Sequence, residues 1–248
     1  MMLPLGLAAT LALSLGPGAH GFASRPRVAG SRTWRVNASP TDFLSGITGI
    51  APSSLTPPSE LLEGTSIDPT RDDVKLERVY KASKDGWSAI DFHGKVDGKG
   101  SALVVVLNKS GQRFGGFNPS GWTSTDDYYS SNSAFLWFER NGKCVKCPIL
   151  TGGNTAIYDY STGGPNFGSA DLVIGKPKAQ VMGGFSGPSL ENLSTNAGDL
   201  RKGKSSVGSC YDYRKGWPVA GDFSVVEVEV YCNANAGRRS PYRGGLFG

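Results

Sequence analysis

A mainly β domain with some α is what the sequence predicts, and three observations carry that expectation. The 248-residue chain holds 35 glycines and 15 prolines, a composition that favours many turns between short strands over a helical bundle. Between Val79 and Gly175, short apolar or aromatic stretches are punctuated by Gly-rich turns. With 38% apolar residues the chain can bury one sizeable core, and its length fits one domain better than two.

The elements follow in chain order. Leu3 to Leu15 is a compact apolar run, too short to span a bilayer, and Ala19-His20-Gly21 offers the small residues that a signal peptidase reads, so residues 1–21 are expected to be a signal peptide. From Phe22 to Thr41 there is no acidic residue, only Arg, Ser, Thr and apolar or neutral neighbours. Residues 22–37 therefore read as a plastid transit peptide, and the whole leader resembles the two-part leader of plastid proteins in algae with secondary plastids. Val36-Asn37-Ala38 is the expected stromal processing site, which places the mature protein in the plastid, with secretion as the alternative. Residues 38–60, rich in Ser, Thr and Pro around Phe43 to Ile47, read as a linker or arm.

The domain is expected over residues 61–232. Val74, Leu76, Val79 and Tyr80 have the spacing of one short amphipathic helix over Asp72 to Ser83, stopped by Asp85-Gly86. Ser88 to His93 alternates like a strand that ends at His93. Ala102 to Leu107 is a continuous β-branched run of the kind buried on both faces. Ala134 to Arg140, Asn141-Gly142 and Lys143 to Leu150 predict a hairpin with a two-residue turn, which pairs Cys147 with Leu136 and Cys144 with Glu139. Val226, Val228 and Val230 alternate with Glu227 and Glu229, as in a half-exposed strand whose carboxylates face water. Residues 233–248 are Gly/Arg-rich and expected to be a disordered tail.

Charge excludes one class of partner. The 26 basic residues less four leader arginines leave 22 against 21 acidic ones, and without Arg238, Arg239 and Arg243 the domain holds 19 against 21. A nearly neutral domain has no electrostatic footprint for nucleic acid. No integral membrane segment is expected in the mature chain.

Four features could carry chemistry. Gly198 to Ser205 satisfies the P-loop pattern through Gly198, Gly203, Lys204 and Ser205, but neither the preceding strand nor the following helix that a P-loop needs can be read, so it is taken as a look-alike. Cys144 and Cys147 form a C-x-x-C pair, a candidate redox dithiol or half of a zinc site. Residues three apart on a strand point to opposite faces, so the pair is not expected to bond or to share a metal. His93 is the only imidazole once the signal peptide is removed, and a Ser-His or Cys-His nucleophile would have to be built around it. Asp126-Asp127 is expected to cap or decorate a loop. No catalytic residue, cofactor or metal is assigned from these.

Several phrases in order point to a family. VYKASKDGWSAIDFH at Val79 to His93, SALVVVLNKSGQRFGGFNPSGW at Ser101 to Trp122, GGPNFGSADLVIG at Gly163 to Gly175 and FSVVEVEVYC at Phe223 to Cys232 together resemble the TLDc domain of the oxidation-resistance proteins. The resemblance implies a β-sandwich flanked by short helices, an association with protection against oxidative damage and, in some relatives, binding to the vacuolar proton ATPase. It brings no agreed catalytic residues. The function expected is a non-catalytic module that binds a protein partner and supports oxidative-stress tolerance in the plastid. The alternative is a thiol-dependent redox protein using Cys144 or Cys147, and a P-loop nucleotide binder stands third.

The leader generates a direct test. Residues 1–41 fused to a fluorescent reporter are expected to enter the plastid, and Phe22→Ala is expected to leave the reporter outside. Recovery of the mature protein in the medium, glycosylated at the sequons of Asn37, Asn108 or Asn192, would contradict the plastid address.

Overall fold

The computed structural model describes residues 54–150, 153–178, 193–206 and 208–236. The leader, the arm up to residue 53 and the tail from Gly237 lie outside them. Among the described residues eleven strands form one antiparallel ladder: β1 (Leu76–Lys81), β2 (Ala102–Asn108), β3 (Arg113–Asn118), β4 (Asp127–Tyr129), β5 (Phe135–Arg140), β6 (Lys143–Pro148), β7 (Ile157–Asp159), β8 (Asn166–Phe167), β9 (Leu172–Ile174), β10 (Lys202–Ser205) and β11 (Gly221–Asn233). Among the described residues three short α-helices accompany them, α1 (Ala82–Asp85), α2 (Ala89–Val96) and α3 (Leu193–Asn196), with a single 3-10 turn at Ser59–Leu61. The fold is thus mainly β with some α.

The order across the ladder is β4-β7-β8-β9-β10-β11-β2-β3-β5-β6, with β1 also on β11. Strand β11 is the hinge of this arrangement because it is long enough to serve two groups of neighbours. Along one flank it pairs with β2 from Val225 to Cys232. Along the other it pairs first with β10 through Gly221 to Ser224 and then with β1 through Glu229 to Asn233. The ladder curls back on itself, since Phe167 of β8 lies over Gly116 of β3, where a Cβ would sit 2.6 Å from the ring.

Curling creates an inner core. Val104 and Val106 of β2, Phe114 of β3, Leu136 and Phe138 of β5 and Val228 and Val230 of β11 face Ile157, Phe167, Leu172 and Ile174 from the other arm of the ladder. Helix α2 closes one end through Phe92 and Val96. Edge-to-face rings link the closure: Phe92 meets Tyr80 at 5.6 Å and Trp122 at 5.4 Å, and Trp122 meets Phe167 at 6.0 Å. Such pairs add to the area they bury. A second core lies on the opposite face of β2, where Leu103, Val105 and Leu107 pack with Phe117, Phe135 and Trp137 beneath Leu55, Leu62 and Ile67. Both faces of β2 are therefore dry, as its unbroken apolar run predicts.

Three local expectations are corrected. Leu76 to Lys81 is a strand, not part of a helix, because a register shift between Arg78 and Tyr80 inserts one residue into the ladder. That bulge breaks the period of two and leaves apolar residues at the spacing of a helix face. Ser88 to His93 is the start of α2 instead of a strand. Its Ser88 hydroxyl accepts from the Ile90 amide at 3.3 Å while the Asp91 carboxylate accepts from the Ser88 amide at 3.1 Å, a capping box that alternation conceals. Finally, Glu227 and Glu229 are completely buried where a solvated face was expected.

Glycines set close approaches at two points with opposite outcomes. A Cβ on Gly115 would collide with the Val104 carbonyl of the neighbouring strand, which cannot move without breaking the ladder. Gly94 is exposed within α2 with nothing within 4 Å of the position. Gly115→Ala is expected to destabilise the fold by about 1–3 kcal/mol, whereas Gly94→Ala is expected to stabilise it by about 1 kcal/mol. Urea denaturation of the two variants checks both signs.

Candidate functional site

A dense buried polar cluster sits on β11. Alternation places Glu227, Glu229 and Tyr231 on the face turned away from the inner core, and β1 and the 54–56 segment cover them. Glu229 accepts from Lys81 Nζ and Arg78 Nη1, each at 3.1 Å, from the Leu55 amide at 3.0 Å and from the Tyr231 hydroxyl at 2.6 Å. Tyr231 also shares its hydroxyl with the Leu55 carbonyl. Glu227 is 3.3 Å from Lys81 Nζ and accepts from the Ser83 amide at 3.1 Å and the Ser83 hydroxyl at 2.5 Å. Ser83 is in the first turn of α1, so Glu227 caps that helix from a distant strand.

What this cluster can do follows from its access. Both carboxylates have 0% exposure, and their lone pairs are met by cations, amides and hydroxyls. Neither can reach the atom of a bound molecule. The arrangement is a clamp that ties the chain's first described residues, β1 and α1 to the central strand.

A second cluster surrounds His93. On α2, His93 and Asp97 are one turn apart, and Nδ1 lies 2.7 Å from the Asp97 carboxylate. Nε2 lies 2.9 Å from the Tyr160 carbonyl and 2.8 Å from the Gly163 carbonyl. A carbonyl cannot donate, so Nε2 carries a proton, and the carboxylate favours a second proton on Nδ1. Burial by itself would lower the pKa of this imidazole. The Asp97 hydrogen bond and charge, with the charge of Asp159, outweigh it and raise the value above the ordinary one. Asp97 also accepts from the Ser124 hydroxyl at 2.5 Å. Asp159 is buried among the amides of Thr123, Ser124 and Thr125, and burial raises its pKa against the opposing pull of His93.

This geometry resembles a Ser-Asp-His set only by inventory. The serine hydroxyl points at the aspartate rather than at the imidazole, and the imidazole has no free nitrogen to accept a proton. His93 joins α2 to the loop after β7 and, through Asp97, to Ser124 in the loop before β4.

The thiols are placed by the hairpin. Strands β5 and β6 pair Leu136 with Cys147 and Glu139 with Cys144, the register that Asn141-Gly142 predicts. Cys147 belongs to the inner core, while Cys144 packs against the second core on the opposite face. Burial first, and then the Glu60 carboxylate, pushes Cys144 up to about 12; burial pushes Cys147 up to about 11 and Cys232 up to about 12. Among the described residues no three His, Cys, Asp or Glu side chains converge as a metal would require.

The P-loop look-alike is threaded into the fold by its own backbone. The Gly198 amide donates to the Thr162 carbonyl and the Leu200 amide to the Trp87 carbonyl, both at 2.8 Å, and the Lys202 amide donates to the Asp199 carbonyl at 3.0 Å. Gly203, Lys204 and Ser205 continue as β10, where a P-loop would begin a helix. The Ser205 hydroxyl donates to the Asp171 carbonyl at 2.6 Å and accepts from Trp217 Nε1 at 3.0 Å.

Sequence reasoning missed Lys81, Ser83, Asp97, Asp159 and Asp171. The last is a buried carboxylate that gathers the successive amides of Gly208, Ser209, Cys210 and Tyr211 at 3.2–3.4 Å. Only Asp97 left a usable signal, its position four residues after His93. Asp126, expected to decorate a loop, does hold one: its carboxylate accepts from the amide and hydroxyl of Ser161, both at 2.9 Å.

Comparison with known proteins adds one positive finding. Residues 51–232 match the family model of the TLDc domain, which takes in every strand but the last residue of β11. No curated protein matches the chain.

The His93 clamp generates a pH prediction. Its pKa is higher in the folded protein than the ordinary value of 6.5. Its contribution is therefore complete below that ordinary value and fades as pH rises through the folded one. The stability difference between wild type and His93→Gln, from urea midpoints at pH 5 to 9, is expected to shrink toward alkaline pH. A difference that grew with pH would contradict the imidazolium assignment.

Proposed function

The chain belongs to the TLDc domain family, and from that premise we propose that it is a non-catalytic module that binds a protein partner and supports oxidative-stress tolerance in the plastid. The observation that carries the choice between a binding module and a thiol enzyme is the state of the cysteines. Thiol redox catalysis needs a thiolate near neutral pH, and thiols with pKa values of 11 to 12 leave roughly one molecule in a thousand or fewer ionised at pH 8. The two sulfurs of the C-x-x-C pair also lie in different cores, on opposite faces of β6. A dithiol cycle would have to break the strand that holds them.

The family supports the link to oxidation resistance, and the leader composition supports the plastid address. The occupied state of the buried charges supports a scaffold role, because those groups hold elements of the domain to each other.

Proximity labelling in isolated plastids tests the partner. The chemistry is tested by Cys144→Ala, since Cys144 is half-buried and its removal leaves the inner core intact. Cells carrying this variant are expected to tolerate peroxide as well as the wild type. Mass spectrometry of the native protein after mild oxidation is expected to show no Cys144–Cys147 bond. Such a bond, reversible by thioredoxin, together with lost tolerance in Cys144→Ala, would move the assignment to a redox protein.

A further inference from the structure

Among the described residues, the β4 end of the ladder is unlike the rest of the surface. Among the described residues β4 pairs only with β7, and its outer flank carries no strand partner there. Tyr128 stands directly opposite Tyr158, their ring centroids 5.6 Å apart, and Tyr160 continues the row with a further 5.6 Å step from Tyr158. Tyr128 is 52% exposed, the highest value for a large apolar side chain among the described residues, where the other aromatics are buried or half-buried.

The charge beside this row has one sign. Asp127 is exposed and has no ion pair among the described residues. Its carboxylate accepts one local bond, from the Tyr128 amide at 2.7 Å, and has further acceptor capacity. Beyond burial, the groups that act on the Tyr160 hydroxyl are Tyr158, Asp127, Asp126 and Tyr128, and each raises its pKa. The edge is therefore an aromatic row with electron-rich faces, set beside an unneutralised carboxylate.

The geometry points to this edge as the docking site for an extended, arginine-bearing segment of the partner protein, laid along β4 with guanidinium groups over the tyrosine rings. The assignment rests on the reading of the chain as a partner-binding module and names the chemistry of the partner. An open strand edge offers main-chain pairing to an extended peptide. Arginine is favoured over lysine because its planar guanidinium stacks on an aromatic face, and the charge of nearby Asp127 favours a cation there. Tyrosine and arginine are also the residues that carry most of the energy in protein interfaces.

The probe is a fluorescein-labelled peptide Gly-Arg-Val-Arg-Val-Arg-Gly, titrated with the full chain and followed by fluorescence anisotropy. Binding is expected, weaker in high salt and several-fold weaker when lysine replaces arginine. The double variant Tyr128→Ala with Asp127→Asn, both at exposed positions, is expected to lose about tenfold in affinity or more, and Tyr128→Phe to stay within about twofold. Peptide binding that ignores the double variant would overturn the assignment, as would the absence of binding. Binding that appears only after removal of residues 237–248 would also overturn it, because the edge would then be the seat of this chain's own Arg238, Arg239 and Arg243. Partners captured in plastids equally well by wild type and the double variant would sink this assignment and leave the binding-module reading standing. Wild-type chain that captures no specific partner while still binding the peptide would sink that reading instead.

Discussion

Two carboxylates without access to water, on the strand that every other part of the ladder leans on, are the constraint from which much of this structure follows. Glu227 and Glu229 must be neutralised where they stand, since the desolvation of an unpaired carboxylate costs more than a small domain can tolerate. Lys81 and Arg78 come from β1, Ser83 from α1, and Ser54 and Leu55 from the segment that precedes them. A one-residue slip of β1 would turn Lys81 to the opposite face and leave both carboxylates with an inadequate partner. The charges thus fix a register that apolar packing alone would define loosely. Breaking such a buried pair from one side costs roughly 3–5 kcal/mol, a large fraction of ordinary domain stability.

A second constraint is steric and joins the phrases that carry the family resemblance. Gly116 of β3 admits the Phe167 ring, Phe167 meets Trp122, and Trp122 meets Phe92 of α2. Those four residues come from three separate phrases, and they touch because the ladder curls. Gly115 lets β3 lie against the Val104 carbonyl on its other side, where Trp137 Nε1 also donates to that carbonyl at 3.2 Å. The recurring glycines and aromatics are therefore instructions for closing the sheet. Their presence in a sequence identifies a shape and leaves the reaction, if there is one, unspecified.

This division explains what could be read from the sequence. Signals that act locally were legible: the dry run of β2, and the Asn141-Gly142 turn, which set the β5–β6 register to the residue. Signals whose meaning depends on a distant neighbour were not. The bulge in β1 gave strand residues a helical spacing, and the capping box of α2 lay inside a stretch that also alternates. Glu227 and Glu229 read as a solvated face because alternation cannot tell water from a buried lysine. The site was less legible than the fold for the same reason. Asp159 and Asp171 matter through amides 34 to 40 positions away in the chain, and nothing in a carboxylate's immediate neighbours announces such partners.

The distribution of satisfied and unsatisfied polar groups then bears on function. Catalysis requires a group with capacity left over: a nitrogen able to take a proton, a thiolate, an amide aimed at a vacant position. At His93 both nitrogens already face acceptors, at the thiols burial suppresses ionisation, and in the Gly198 to Ser205 loop the amides of Gly198, Leu200 and Lys202 are bonded to carbonyls. Among the described residues the β4 edge also keeps capacity, with an exposed tyrosine, an exposed carboxylate and an unpaired strand flank. Apart from Arg113 Nε, Trp122 Nε1 and Asn166 Oδ1, which are buried without a partner among the described residues, the interior side-chain polar groups are committed to one another, as in a rigid platform. Rigidity lowers the entropic cost of docking, because the receiving surface is already ordered before a partner arrives.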